Sequence, residues 1–148
     1  MTKHEIIPYI KHIRDAIRNI ESFINNLLKE NFLNDKLRQD AIVRELEIIG
    51  EATKNIPEDF RKKYPKIEWR KMAGTRDRVI HAYFEVDLDL VWRIVKEDLP
   101  KLKKQIQEVL KKEEQKLSDM TKKWKMTEKE TEKIKKSLEK GWNNHNIK

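Results

Sequence analysis

The chain has 148 residues, with Lys+Arg 34 against Asp+Glu 26, a formal net charge of +8 at pH 7, and no Cys. That length favours one principal domain with a sizeable core, and the missing Cys excludes a disulfide scaffold, a thiolate zinc site and a cysteine nucleophile. No apolar run approaches the roughly 18–20 residues of a membrane-spanning helix, and the first thirty residues lack a signal-peptide pattern. A cytoplasmic protein without membrane association is therefore expected. Three Gly residues among abundant Lys, Glu, Ile and Leu point to an all-α fold.

The first helix is written in Ile6, Ile10, Ile13, Ile17, Ile20, Ile24 and Leu27, which step by four and three and draw one apolar stripe. Pro8 fits its first turn, where a missing N–H costs least. Asn31 to Asp35 break the period, and Asn34 or Asp35 supplies the cap of a second helix carrying Leu37, Ala41, Ile42, Leu46, Ile49 and Ala52. That helix ends near Asn55–Pro57. A connector with two prolines follows, with a short helical turn expected around Glu58–Lys63. A third helix is predicted from about Glu68 to Phe84, with Gly74 as its weak point. The fourth begins at an Asp87 cap and carries Leu90 through Leu110, with Pro100 kinking or dividing it. Four such helices predict an antiparallel bundle. Trp69 and Trp92 are assigned to its core.

Beyond Leu110 the composition changes. Residues 111–148 hold twelve Lys against seven acidic residues, a net +5 that leaves only +3 for residues 1–110. Leu117, Met120, Trp124, Met126, Ile134, Leu138, Trp142 and Ile147 are sparse on that background, and Thr127–Glu130 has the spacing of a capping box. The expectation is a helical bundle over 1–112 and a Lys/Glu-rich extension over 113–148, helical or partly disordered and marginal alone.

Cofactor and metal motifs are missing: there is no Gly-rich phosphate loop and no His pair at metal-binding helical spacing. His4, His12 and His145 are read as peripheral. His81 has different company. From Arg70 to Tyr83, four basic residues (Arg70, Lys71, Arg76, Arg78) face one acid, Asp77. A neutral imidazole can take a proton from a ribose 2′-OH and return one to a leaving 5′-oxygen. A guanidinium can neutralise charge building on the phosphate between them. The plainer alternative is a surface ion pair and a partly buried, satisfied imidazole. On one straight helix, at about 100° per residue, Arg76 and His81 lie roughly 140° apart and do not converge. The helix is therefore irregular near Gly74 or His81, or a second subunit completes the site, as a two-fold dimer would.

Arg76-x4-His81-x-Tyr83 resembles the R-x4-H-x-Y motif of the HepT-like branch of the HEPN superfamily. Ile48-Ile49-Gly50-Glu51-Ala52, the connector Phe60 to Pro65, Trp69 to Gly74, Val86 to Trp92 and Asp98-Leu99-Pro100 are similar to that family too, so the resemblance covers about residues 1–110. It implies an antiparallel four-helix-type HEPN bundle that dimerises around a cleft. It also implies a ribonuclease toxin of a toxin–antitoxin pair that cleaves RNA without a cofactor or metal. Its expected partner is an MntA-like nucleotidyltransferase antitoxin, which silences it by AMPylation, the transfer of AMP from ATP to the motif tyrosine. Carried onto this chain, His81 is the acid/base, Arg76 the phosphate clamp and Tyr83 the modification site. Arg78, Asp77, Arg70 and Glu51 are supporting residues. Where the family often has Asn after the motif arginine, this chain has Asp77. A non-catalytic helical module that binds a nucleotidyltransferase or nucleic acid is the competing expectation.

Overall fold

A computed structural model describes the backbone of residues 1–145, and the side chains of these except His4 and residues 142–145. The readings of His4, Trp142, His145 and Ile147 fall outside the described side chains. Two compact units divide the chain, Met1–Leu110 and Lys111–Lys148.

The first unit is an all-α bundle. Helix α1, Lys3–Ile24, buries Ile6, Ile10, Ile13, Ile17 and Ile20 along the expected stripe. Each such side chain removed from water contributes about 1.5–3 kcal/mol. Its start is tied by the Thr2 N–H donating to Glu5 Oε2 at 2.7 Å. Pro8 lies in the second turn rather than the first, on the exposed side. A five-residue helix α2, Lys29–Leu33, was not legible in the sequence. It exists because Phe32, fully buried, stacks on Trp92 with ring centroids 5.2 Å apart. Trp92 is only half-buried, with the Lys96 ammonium 5.1 Å from its ring centroid. Trp69, by contrast, is buried in the core as expected.

Helix α3, Lys36–Lys54, starts at Asp35, whose Oδ1 accepts from the Arg38 N–H at 3.1 Å. It packs along α1 and buries Ile42, Leu46, Ile49 and Ala52. The connector is stapled by side chains that satisfy helix-end carbonyls. Arg61 on α4, Glu58–Lys63, donates to Thr53 O at 2.8 Å and Ile56 O at 3.0 Å, closing the end of α3. The Trp69 indole donates to Tyr64 O at 3.0 Å and Arg61 O at 3.2 Å, closing the end of α4. These staples set the direction of the chain entering α5, Trp69–Ala73.

The predicted third helix does not run to Phe84. It divides at Gly74 into α5 and α6, Thr75–Val79, and then gives way to an antiparallel hairpin, β1 Ile80–Ala82 and β2 Glu85–Val86. The cause is long-range: Val79 is fully buried, and its carbonyl accepts from the Asp87 N–H at 2.8 Å, which turns the chain back on itself. Helix α7, Leu88–Arg93, begins as expected at Asp87, whose Oδ1 accepts from the Leu90 N–H at 3.0 Å. A π-helical turn, Ile94–Asp98, then leads into α8, Leu99–His145. Pro100 lacks the N–H that would close an α-turn onto Lys96, and the wider turn lies where that bond is lost.

In the second unit α8 is helical as far as His145. Met120, Trp124, Met126, Ile134 and Leu138 are exposed there. The Thr127 capping box does not form, because the helix continues through it and Thr127 Oγ1 donates instead to Lys123 O at 3.0 Å. Among the described residues no helix is long and apolar enough to cross a membrane.

Candidate active site

Three layers of local structure position the motif. Gly50 on α3 faces the end of α5 closely, since a Cβ there would lie 3.4 Å from the carbonyl oxygens of Met72 and Ala73. Buried Thr75 starts α6, its Oγ1 donating to Lys71 O at 3.1 Å. Buried Val79 ends α6, so Arg76 and Asp77 turn outward from an anchored five-residue helix while Arg78 stays half-buried.

Arg76 is exposed and leans on α3, with Nε 3.7 Å from Glu47 Oε1. His81 is on β1 rather than on a helix, exposed, with Nε2 4.0 Å from Asp87 Oδ2. The 140° conflict of a continuous helix is thereby removed. The two motif side chains nevertheless turn to different carboxylates, and no hydrogen bond or ion pair joins them among the described residues.

Tyr83 and Phe84 form the whole turn of the hairpin, flanked by the Ala82–Glu85 pair. Such two-residue turns usually need a positive φ, but the sole positive-φ residue described is Asn26. Two bulky rings are therefore tolerated here, and both face solvent: Tyr83 is 97% exposed and Phe84 74%, with centroids 5.0 Å apart in a T-shaped contact. The Tyr83 hydroxyl is accessible to a second macromolecule.

The supporting residues scatter. Asp77 is exposed on α6. Half-buried Arg78 lines a cavity of about 110 Å³ with Leu46, Met72, Lys71 and Asp98, away from a shared contact with Arg76. Arg70 is exposed on α5. Glu51 makes an exposed pair with Lys54 on its own helix, Oε1 to Nζ 3.2 Å, rather than an interhelical one. Sequence reasoning passed over Glu47, although it stands one turn before Glu51 on the same face of α3. It read Asp87 as a cap and as part of the family-like stretch, and Phe84 only as a helix end, neither as a residue of the site. Among the described residues no group of three or more His, Cys, Asp or Glu side chains is arranged to hold a metal.

An all-α bundle thus presents Arg, His and Tyr on a short helix and hairpin, residue types that serve RNA cleavage. Residues 13–109 match the family model described as "Ribonuclease HepT-like". Over 103 residues the chain is 50% identical to a protein of Thermococcus cleftensis named "Probable ribonuclease HepT", covering 70% of this chain and 94% of that one. Two proteins carrying the name "Putative RNase" are also similar. One, from Caldanaerobacter subterraneus subsp. tengcongensis, is 41% identical over 72% of this chain and 95% of its own. The other, from Methanocaldococcus jannaschii, is 40% identical over 75% and 92% respectively. No solved structure matches. The chain belongs to the HepT-like ribonuclease family, and RNA is the substrate class that membership supports.

Proposed function

We propose that this protein is a metal-independent endoribonuclease toxin of a toxin–antitoxin pair, working as a homodimer and silenced by AMPylation of Tyr83. The observation that carries the reading is the arrangement of Arg76, His81 and Tyr83, all solvent-exposed within one run from α6 through the hairpin turn. None of the three is consumed by core packing, as a purely structural bundle would allow.

The chemistry is transesterification. A neutral His81 takes the proton of the ribose 2′-OH, and the 2′-oxygen attacks phosphorus. The 5′-oxygen leaves with a proton from an acid, giving a 2′,3′-cyclic phosphate and a 5′-hydroxyl. Arg76 stabilises the charge on the phosphate oxygens during that passage. One protomer brings a single motif histidine, whereas the reaction uses a base and an acid. Two copies around a two-fold axis supply both. Arg78 and Arg70 add cationic contacts to the RNA backbone.

Silencing follows from the exposure of Tyr83. Its Oη attacks the α-phosphate of ATP on an MntA-like nucleotidyltransferase, releasing pyrophosphate and leaving AMP on the ring. The added phosphate competes for the same cations that bind RNA.

The test is cleavage of RNA by wild type, His81→Ala and Arg76→Ala, each shown to be folded by circular dichroism. Both variants are expected to lose activity. Cleavage by His81→Ala at the wild-type rate would remove His81 from the mechanism. Intact mass after incubation with the cognate nucleotidyltransferase and ATP is expected to show AMP additions that Tyr83→Phe abolishes. A folded protein that cuts no RNA but is still modified would favour the non-catalytic module.

A further inference from the structure

His81 and Asp87 are brought together by the hairpin, and the carboxylate is held more firmly than the imidazole it faces. The Asp87 backbone N–H donates to Val79 O at 2.8 Å, anchoring the residue to the buried end of α6. Its Oδ1 accepts from the Leu90 N–H at 3.0 Å, anchoring the side chain to the start of α7. The remaining oxygen, Oδ2, lies 4.0 Å from His81 Nε2. We propose that Asp87 is the positioning residue for His81. It holds the proton of the neutral imidazole on Nε2 and so leaves Nδ1, with its lone pair, as the atom that takes the proton from the ribose hydroxyl.

The proposal rests on the reading of His81 as the acid/base. Its physical content is tautomer and orientation. An imidazole that must act as a base needs one nitrogen unprotonated and aimed at the substrate, and the hydrogen bond made by the other nitrogen selects which. At 4.0 Å the contact is longer than a hydrogen bond, and such catalytic contacts commonly tighten when substrate is bound. The approach is one-sided, because Asp87 is fixed by two hydrogen bonds while His81 is exposed on a three-residue strand. The neighbouring carboxylate of Asp89 is engaged elsewhere, 3.1 Å from Lys29 Nζ, and offers a control.

A residue that is also a helix cap demands variants that keep the cap. Asn and Ser cap helices about as well as Asp but carry no charge. Asp87→Asn and Asp87→Ser are expected to melt close to wild type and to leave KM for a short RNA within about twofold. Their kcat should fall by about tenfold or more, a share of the roughly 10²–10⁴ that general acid–base catalysis supplies. Asp89→Asn should leave kcat unchanged. Long-range ¹⁵N spectra of the neutral His81 ring should show the Nε2–H form in wild type and a mixture with the Nδ1–H form in Asp87→Asn. Wild-type kcat in a folded Asp87→Asn overturns the proposal. So does an Nδ1–H ring in the wild-type protein, which needs no variant to fold. If His81→Ala cleaves RNA normally, the acid/base reading falls instead, and the ring spectra alone decide whether Asp87 sets the imidazole.

Discussion

Arg76 on α6 reaches back to Glu47 on α3, its Nε 3.7 Å from Oε1, so the arginine assigned to phosphate already holds a carboxylate. The guanidinium side is largely exposed, and such a pair contributes about 0–1 kcal/mol to stability. A phosphate must compete with Glu47 for the same cation. Glu47→Gln is therefore expected to leave the melting temperature nearly unchanged and to lower KM for RNA by about two- to fivefold, the scale of one exposed ion pair. Steady-state cleavage with a parallel thermal melt checks both halves. A raised KM would mean that Glu47 aims the arginine instead of competing for it.

Gly50 on α3 lies against the end of α5, next to where α6 starts. A methyl group at that position meets the Met72 and Ala73 carbonyls at 3.4 Å, ordinary contact. Replacing Gly by Ala within a helix also gains about 0.5–1 kcal/mol. Gly50→Ala is expected to be neutral or slightly stabilising in a thermal melt. Gly50→Leu cannot be housed without moving α5, and is expected to cost about 1–3 kcal/mol and to depress cleavage together with stability.

Asp35 links stability to acid. The Arg38 side chain, donating to its carboxylate at 2.6 Å, and the Arg38 N–H hold its pKa below the ordinary 3.8. A group lowered on folding stabilises fully above its unfolded value and ceases to do so as pH falls through the folded value. The stability difference between wild type and Asp35→Asn should thus be constant from neutrality down to about pH 4 and shrink below it. Denaturant melts across that range measure it. A difference that persists unchanged at the acid end would refute the linkage.

The sequence and the structure agree where one period or one cap decides the element. The isoleucines of α1 repeat at helical spacing. Asp35 and Asp87 are caps whose partners lie three residues ahead, and Glu58–Lys63 is a turn between prolines. Disagreement begins where a distant group decides. Nothing local in Ile80-His81-Ala82 separates strand from helix; the Asp87 N–H bonded to Val79 O does. In the same way α2 depends on Phe32 meeting Trp92, sixty residues away, and Thr127 has a cap's spacing without a helix start to cap. The site followed this division. Arg76, His81 and Tyr83 were legible as a motif, whereas the placing of Glu47 beside Arg76 and of Asp87 beside His81 was visible only after folding.

Most of the excess positive charge, five of the eight, lies in residues 111–148. Deleting residues 116–148 is expected to leave the Met1–Leu110 unit cooperatively folded, since its core residues precede the cut. RNA binding should weaken, with a shallower dependence of log K on log salt because fewer phosphates are neutralised. Fluorescence anisotropy at several salt concentrations reads both effects. Loss of cooperative unfolding in the truncated chain would place the extension within the folding unit.

The central claim is that His81 and Arg76 carry RNA cleavage without a metal, and the chemical ends of the product test it most directly. RNA is incubated with the protein in excess EDTA, and the 3′ ends of the fragments are weighed by mass spectrometry. Wild type is expected to form 2′,3′-cyclic phosphates, which are absent with His81→Ala. Fragments ending in 3′-hydroxyls, cleavage that appears only when a divalent ion is restored, or cyclic ends still made by His81→Ala would contradict it.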